Sequence, residues 1–226
     1  VNAPGLTTGV NVRFVNTGAV AVHAGRFVMG NRYDAGMSST TTDVLADAGG
    51  RLLIHGNFET AASLAGDSVD FSWATGTVGG SVTATEYVQT REGSLPVGGV
   101  YQSAHTELYY YAHLTLNGPV TSLGSANLDF NCTLTLTPAT PQTLTIPSLY
   151  LDRSSTLEGS DNLIVSGAFT WQNNSTLALT GTTTTAGTTT LSGGSLVGGH
   201  LVNTGTLTQS SDLSARNGAT IDNAGT

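Results

Sequence analysis

Leu201-Val202-Asn203-Thr204-Gly205-Thr206 is written again as Ile221-Asp222-Asn223-Ala224-Gly225-Thr226, 20 residues on. The same interval separates Ser155-Thr156-Leu157 from Ser175-Thr176-Leu177. A period near 20 residues is the length of one turn of a parallel β-helix, in which each turn of chain stacks on the one before. About eleven rungs at the inter-strand spacing make a rod on the order of 50 Å long. Inward Leu, Val and Ile then form aliphatic columns. Asn16, Asn203 and Asn223 fall at corners, where Asn tolerates positive φ and can bond to its equivalent in the next rung. Gly18, Gly205 and Gly225 relieve the same bends.

Shorter echoes extend the pattern. Phe14-Val15-Asn16-Thr17-Gly18-Ala19 matches the Asn-Thr-Gly unit, and Ile54-His55-Gly56-Asn57-Phe58 matches Val165-Ser166-Gly167-Ala168-Phe169. Val22-His23-Ala24-Gly25-Arg26-Phe27 is the same unit with one residue added, which gives His23 and His55 matching places and lets them stack. Leu177 and Leu201 are further apart than one period, and the stretch between them holds Gly193-Gly194 and Gly198-Gly199, which reads as an insertion at one corner.

Strand signals are dense and helical periodicity is absent. Thr133-Leu134-Thr135-Leu136-Thr137 and Thr143-Leu144-Thr145-Ile146 alternate strictly, which puts Leu on one face and Thr on the other. Leu149–Leu151, Leu163–Val165, Leu177–Leu179 and Leu207–Thr208 read as further strands, separated by Gly, Asn, Asp and Ser. Strands this short suit the narrow faces of a solenoid. The reading is therefore all-β, a right-handed parallel β-helix. The alternative is a Thr-rich antiparallel β-sandwich in which the Asn-Gly units are hairpin turns. Residues 1–113 are Val-rich, with a less regular insertion or cap at about 60–113. Residues 114–226 are Leu/Thr-rich repeats continuous with the first region.

Composition narrows the function. The chain has 226 residues, a net charge of −8, only 10% charged residues, seven cations that are all Arg, and 29 Gly. That excludes a helix bundle and argues against a basic nucleic-acid binder. No run of about 20 apolar residues offers a membrane-spanning helix. The single cysteine, Cys132, permits no disulfide within the chain. Lying in an alternating strand, it reads as a buried small hydrophobe.

Residues 163–226, from Leu-Ile-Val-Ser-Gly-Ala-Phe-Thr-Trp through Leu-Ser-Gly-Gly and Asn-Thr-Gly-Thr-Leu to Ile-Asp-Asn-Ala-Gly-Thr, resemble the β-strand repeats of giant secreted bacterial surface proteins. Residues 107–151 resemble a related unit. The style is that of autotransporter passengers and filamentous-haemagglutinin-type adhesins. The resemblance implies a parallel β-helix, export to the cell surface, and a structural or adhesive role. It transfers no catalytic residues.

Each candidate site has a structural reading beside it. Tyr101, Tyr109, Tyr110 and Tyr111 are the main aromatic concentration, with Trp73 and Tyr87. They are candidate glycan contacts, or they pack an irregular region onto the coil. Asp152-Arg153, Glu158 and Asp161 are a candidate acid cluster for glycoside hydrolysis, or a solvated corner. Asp67, Asp70, Asp43 and Asp47 offer oxygens to Ca²⁺ without matching a known loop. The Thr runs 182–185 and 188–190 suggest flat ice-binding rows, or the ordinary outward residue of a β-face. No cofactor is called for. The expectation is a non-enzymatic extracellular structural protein, an adhesin stalk segment or filament subunit. Its chain continues in a longer polypeptide or associates end to end, with surface glycans as further partners and biofilm as the setting. A glycan-binding module is the second class, and a polysaccharide-active enzyme the third.

Overall fold

The computed structural model describes residues 2–10, 12–30, 38–47 and 49–226. The chain coils as a parallel β-solenoid of about 11 turns with rungs of roughly 19 residues, and no helix occurs among the described residues. Each turn lays down three strands, so the coil has three faces. The first face stacks segments such as Ala24–Met29, His105–Tyr109, Ser125–Asp129 and Leu149–Leu151. The second stacks His113–Leu116, Thr133–Leu136 and Thr156–Gly159. The third stacks Asn162–Val165, Thr182–Thr185, His200–Asn203 and Thr220–Asn223. The antiparallel sandwich does not occur, because the Asn-Gly units turn the chain from one face to the next and never reverse it into a hairpin.

Period-2 alternation fills the interior. On the second face Leu114, Leu134, Leu157 and Leu177 stand in register and are at most 1% exposed. Their neighbours Thr115, Thr135, Glu158 and Ala178 point out. On the first face Leu108, Leu128, Leu151 and Trp171 form the matching column. Burying each such side chain stabilises the fold by about 1.5–3 kcal/mol. Threonine is also a core residue here. Thr183 lies between Leu163 and Leu201, and Thr189 between Phe169 and Leu207, both nearly unexposed. The Thr runs therefore alternate in and out, so only every second threonine faces outward.

The two intervals of 20 residues are true cross-rung registers. Thr156 and Leu157 pair with Thr176 and Leu177, and Leu201 pairs with Ile221. The proposed insertion between Leu177 and Leu201 is absent, because these leucines lie on different faces. Leu177 pairs with Leu196, and Leu201 with Thr183. The long steps fall elsewhere: Phe27 pairs with Leu52, and Leu128 with Leu151. Residues 60–113 run through all three faces in register with their neighbours, in Leu64–Val78, Val82–Arg91 and the strands that follow.

One interruption divides the third face. Val120–Ser122 and Thr143–Ile146 are consecutive there but do not pair, so the ladders form one 22-stranded and one five-stranded sheet. The extra residues Thr137–Gln142, with Pro138 and Pro141, bulge at this level beside Asn117, Gly118 and Pro119. Proline supplies no backbone N–H to a ladder.

Glycine does its clearest work at the corner from the third face to the first. Gly167, Gly187, Gly205 and Gly225 occupy it on successive rungs. A Cβ at Gly187 would lie 2.1 Å from the Gly167 carbonyl oxygen, one at Gly205 2.0 Å from that of Gly187, and one at Gly225 1.9 Å from that of Gly205. The expected relief of positive φ is not the reason, since neither Gly205 nor Gly225 has positive φ, and neither do Asn203 and Asn223. What the corner demands is close approach of backbone to backbone. Gly18, by contrast, has nothing within 4 Å of its Cβ position.

Candidate glycan-binding ridge

The corner from the first face to the second bends through two consecutive residues of left-handed conformation on four successive rungs. These are Tyr110 and Tyr111 (φ 52° and 60°), Phe130 and Asn131 (70° and 57°), Arg153 and Ser154 (48° and 62°), and Asn173 and Asn174 (51° and 61°). Backbone bonds clamp them in register: Tyr111 N–H donates to the Phe130 carbonyl at 3.0 Å, Asn131 to Arg153 at 2.8 Å, and Ser154 to Asn173 at 3.0 Å. Asn suits such a bend because its short polar side chain tolerates the left-handed region. Tyr and Phe do not, and each costs on the order of 1 kcal/mol or more there. The chain thus spends stability to hold aromatic rings at this edge.

Those rings form a ridge. Tyr110 and Tyr111 are 46% and 58% exposed. Phe130 joins them, its ring centre 5.3 Å from that of Tyr110 and 5.6 Å from that of Tyr111. The Arg91 guanidinium lies 5.9 Å from the Tyr110 ring centre. Further along the same corner His55 stacks on Trp73 at 5.7 Å, and Trp73 Nε1 donates to Glu92 at 2.9 Å. His55 therefore does not stack on His23, which sits at another corner and meets Asp47 at 2.6 Å.

Beside the ridge, the outer side of the first face is a polar row. Gln89 donates to Glu107 at 3.0 Å, and Asn127 to the Tyr109 hydroxyl at 2.9 Å. Gln172 donates to the Tyr150 hydroxyl, which donates in turn to Asp152 at 2.8 Å. Arg153 lies between two carboxylates, 3.5 Å from Asp129 and 3.6 Å from Asp152. Burial raises the Tyr109 hydroxyl above its ordinary value, and the charges of Glu107 and Asp129 add to this. Amides, hydroxyls and carboxylates alongside exposed rings are the combination that engages sugars, through ring stacking on one side and hydroxyl hydrogen bonds on the other.

Asp152 is the anchor of the corner, with a side chain 3% exposed. Burial alone would raise its carboxyl. Hydrogen bonds from Tyr150, Asn173 at 2.7 Å and the Arg153 N–H at 2.7 Å outweigh that and hold it below the ordinary 3.8. A depressed folded-state pKa contributes stability above the unfolded value, and the contribution is lost as pH falls through the folded value. Asp152→Asn should therefore cost about 1–3 kcal/mol near neutrality. It should also flatten the loss of melting temperature between about pH 5 and pH 2 relative to wild type. Thermal melts across that range check both.

The structure brings Tyr109, Tyr110 and Tyr111 together but not Tyr101. Tyr101 is 0% exposed, its hydroxyl bonded to Thr106 at 3.0 Å inside the coil, so it cannot reach a ligand. The reason is phase: Tyr101 opens a strand of the third face in register with Val82 and Val120. Sequence reasoning missed Phe130 and Arg91, and placed Arg153 in the acid cluster with Asp152 instead of beside the rings. The signal was available, since Phe130-Asn131 follows Tyr110-Tyr111 by one 20-residue period.

Other candidates separate. Asp152 lies at the first corner, Glu158 on the second face bonded to Thr135 at 2.9 Å, and Asp161 is buried at the next corner against the Gln142 N–H. Asp43 accepts from the Ser63 N–H, and Asp67 from Thr85. No group of three or more His, Cys, Asp or Glu that could hold a metal occurs among the described residues. Asn203 accepts from the Thr185 hydroxyl at 2.8 Å and donates to Asn223 at 2.7 Å, which makes a ladder on the third face. Asn16 lies at the corner from the second face to the third and donates to Thr40 at 3.1 Å and to the Gly18 carbonyl. Cys132 is 1% exposed, and burial pushes its thiol up to about 11.

Compared with protein-family models, curated proteins and solved structures, the chain matches none of them.

Proposed function

We propose that this chain is a non-enzymatic structural segment of an extracellular surface protein, a β-solenoid stalk of the adhesin type. The observation that supports it is the single buried core that runs through the coil from Val22 to Leu201. Stacked apolar columns and parallel ladders make a rod whose backbone hydrogen bonds run along its length, which suits a spacer under load. Electron microscopy of the native material tests the reading. Rods or filaments whose axial repeat is a multiple of roughly 4.8 Å support it. Compact particles with no elongated or end-to-end form overturn it.

A second reading, a glycan-contacting surface on that stalk, is favoured by the exposed rings held at strained positions. Tyr111→Asn keeps a residue suited to the left-handed bend and removes the ring. The variant should be more stable than wild type by about 0.5–1 kcal/mol and should lose binding on a glycan array. A variant that retains binding refutes the ridge.

A further inference from the structure

Arg26 and Arg51 stand directly opposite each other on neighbouring strands of the first face. Like charges in that relation destabilise a sheet, and the arrangement stands out in a chain of net charge −8. The column continues through Ser68, opposite Arg51, and Tyr87, opposite Ser68. These four residues, with Asp70, line a cavity of about 200 Å³. Arg26 and Arg51 also line a second cavity of about 360 Å³, with Leu6, Thr7, Gly25 and Gly49. Arg26 and Arg51 are the residues that line both cavities.

Among the described residues the pair is only partly balanced by acids. Arg26 makes no hydrogen bond or ion pair there, and Arg51 reaches only Glu86, at 3.6 Å with both side chains about half exposed. Ser68 is 1% exposed and lines the smaller cavity beside Tyr87. Asp70 is the one acid in that wall. Ser72 donates to its Oδ1 at 2.5 Å, and burial raises its carboxyl above the ordinary 3.8 against the opposing pull of Ser72, Arg91, His55 and Arg26.

We propose that Arg26 and Arg51 form a binding site for a glycan that bears a sulfate or carboxylate group. The oxyanion sits between the two guanidiniums, which match its geometry through paired N–H donors. The Ser68 and Tyr87 hydroxyls complete its shell. The smaller cavity is below the roughly 300–1,000 Å³ of an ordinary ligand pocket and so suits the pendant anionic group, while the sugar body extends into the larger one. The site lies at the start of the first-face strands. The aromatic ridge lies at their end, and the two share no residue.

Calorimetric titration with a heparin-derived oligosaccharide, an oligogalacturonate, a neutral malto-oligosaccharide and inorganic sulfate tests the site. The protein should bind at least one of the two acidic oligosaccharides, more weakly as salt is raised, and not the neutral one. The preferred acid tells sulfate from carboxylate, and inorganic sulfate should compete. Arg26→Ala and Arg51→Ala should each lower affinity about tenfold or more. Arg26→Glu turns the repulsion into an attraction to Arg51, so it should abolish binding while leaving the melting temperature unchanged or raised. Tyr111→Asn should leave this binding intact. Failure of both acidic oligosaccharides to bind, or affinity that survives Arg26→Glu, overturns the proposal whatever the electron microscopy shows of the rod.

Discussion

Trp171→Ala should lower the unfolding free energy by about 3–5 kcal/mol, enough to leave a marginal domain partly unfolded at room temperature. Trp171 is the largest fully buried side chain in the core. It stacks on Phe169 with ring centres 5.6 Å apart and donates its Nε1–H to the Ser175 carbonyl at 3.0 Å. Truncation removes the ring's contacts, opens a cavity and strands the Ser175 carbonyl. Relaxation is blocked on one side, because Gly194 approaches so closely that a Cβ there would lie 2.3 Å from Trp171 Nε1. Trp171→Phe should recover roughly half of the loss, since it refills most of the volume but not the hydrogen bond. Urea denaturation followed by circular dichroism measures both. A loss below about 1 kcal/mol for Trp171→Ala would mean that this column is not packed as described.

Gly205→Ala should be nearly as damaging, at about 2–4 kcal/mol, although it adds a single methyl group. Its Cβ would lie 2.0 Å from the Gly187 carbonyl oxygen and 2.6 Å from the Ala186 carbonyl oxygen. Both obstacles are backbone, so no side-chain rotation can relieve them. The rung must lift, and the bonds it would lose include Thr206 N–H to Gly187 at 3.0 Å. Gly18→Ala is the internal control. Nothing lies within 4 Å of that Cβ, and φ there is not positive, so the change should be neutral within about 0.5 kcal/mol. Equal effects at the two sites would show that the close backbone approach at Gly205 is not what makes glycine necessary there.

The period of the coil is plain in the sequence because it repeats residue by residue along one face. Thr156 and Thr176 are both threonine and lie opposite each other. The phase between faces is not, because the corners ask for similar chemistry. Asn16 and Asn203 head the same Asn-Thr-Gly motif at two different corners, and the units at Ile54 and Val165 likewise belong to different bends. A motif that is correct at any corner cannot say which corner it occupies. Tyr101 was lost to that ambiguity, since an inward and an outward tyrosine look alike until the face is known. The ridge was half legible. Tyr110 and Tyr111 draw the eye as a cluster, whereas Phe130 and Arg153 reach it only once rungs are stacked. The Arg26–Arg51 pair was hidden by the longest step among the described residues, from Phe27 to Leu52, which breaks the 20-residue count.

The unpaired junction on the third face has a mechanical meaning. A three-walled tube resists bending equally in all directions only while every wall is continuous. Between Val120–Ser122 and Thr143–Ile146 one wall is cut, and the other two, with Ser125–Asp129 against Leu149–Leu151 and Thr133–Leu136 against Thr156–Gly159, carry the load. Such a tube opens like a book along the cut, with the two intact walls as its spine. Its easy direction of flexion is fixed by the fold, at one level and toward one side.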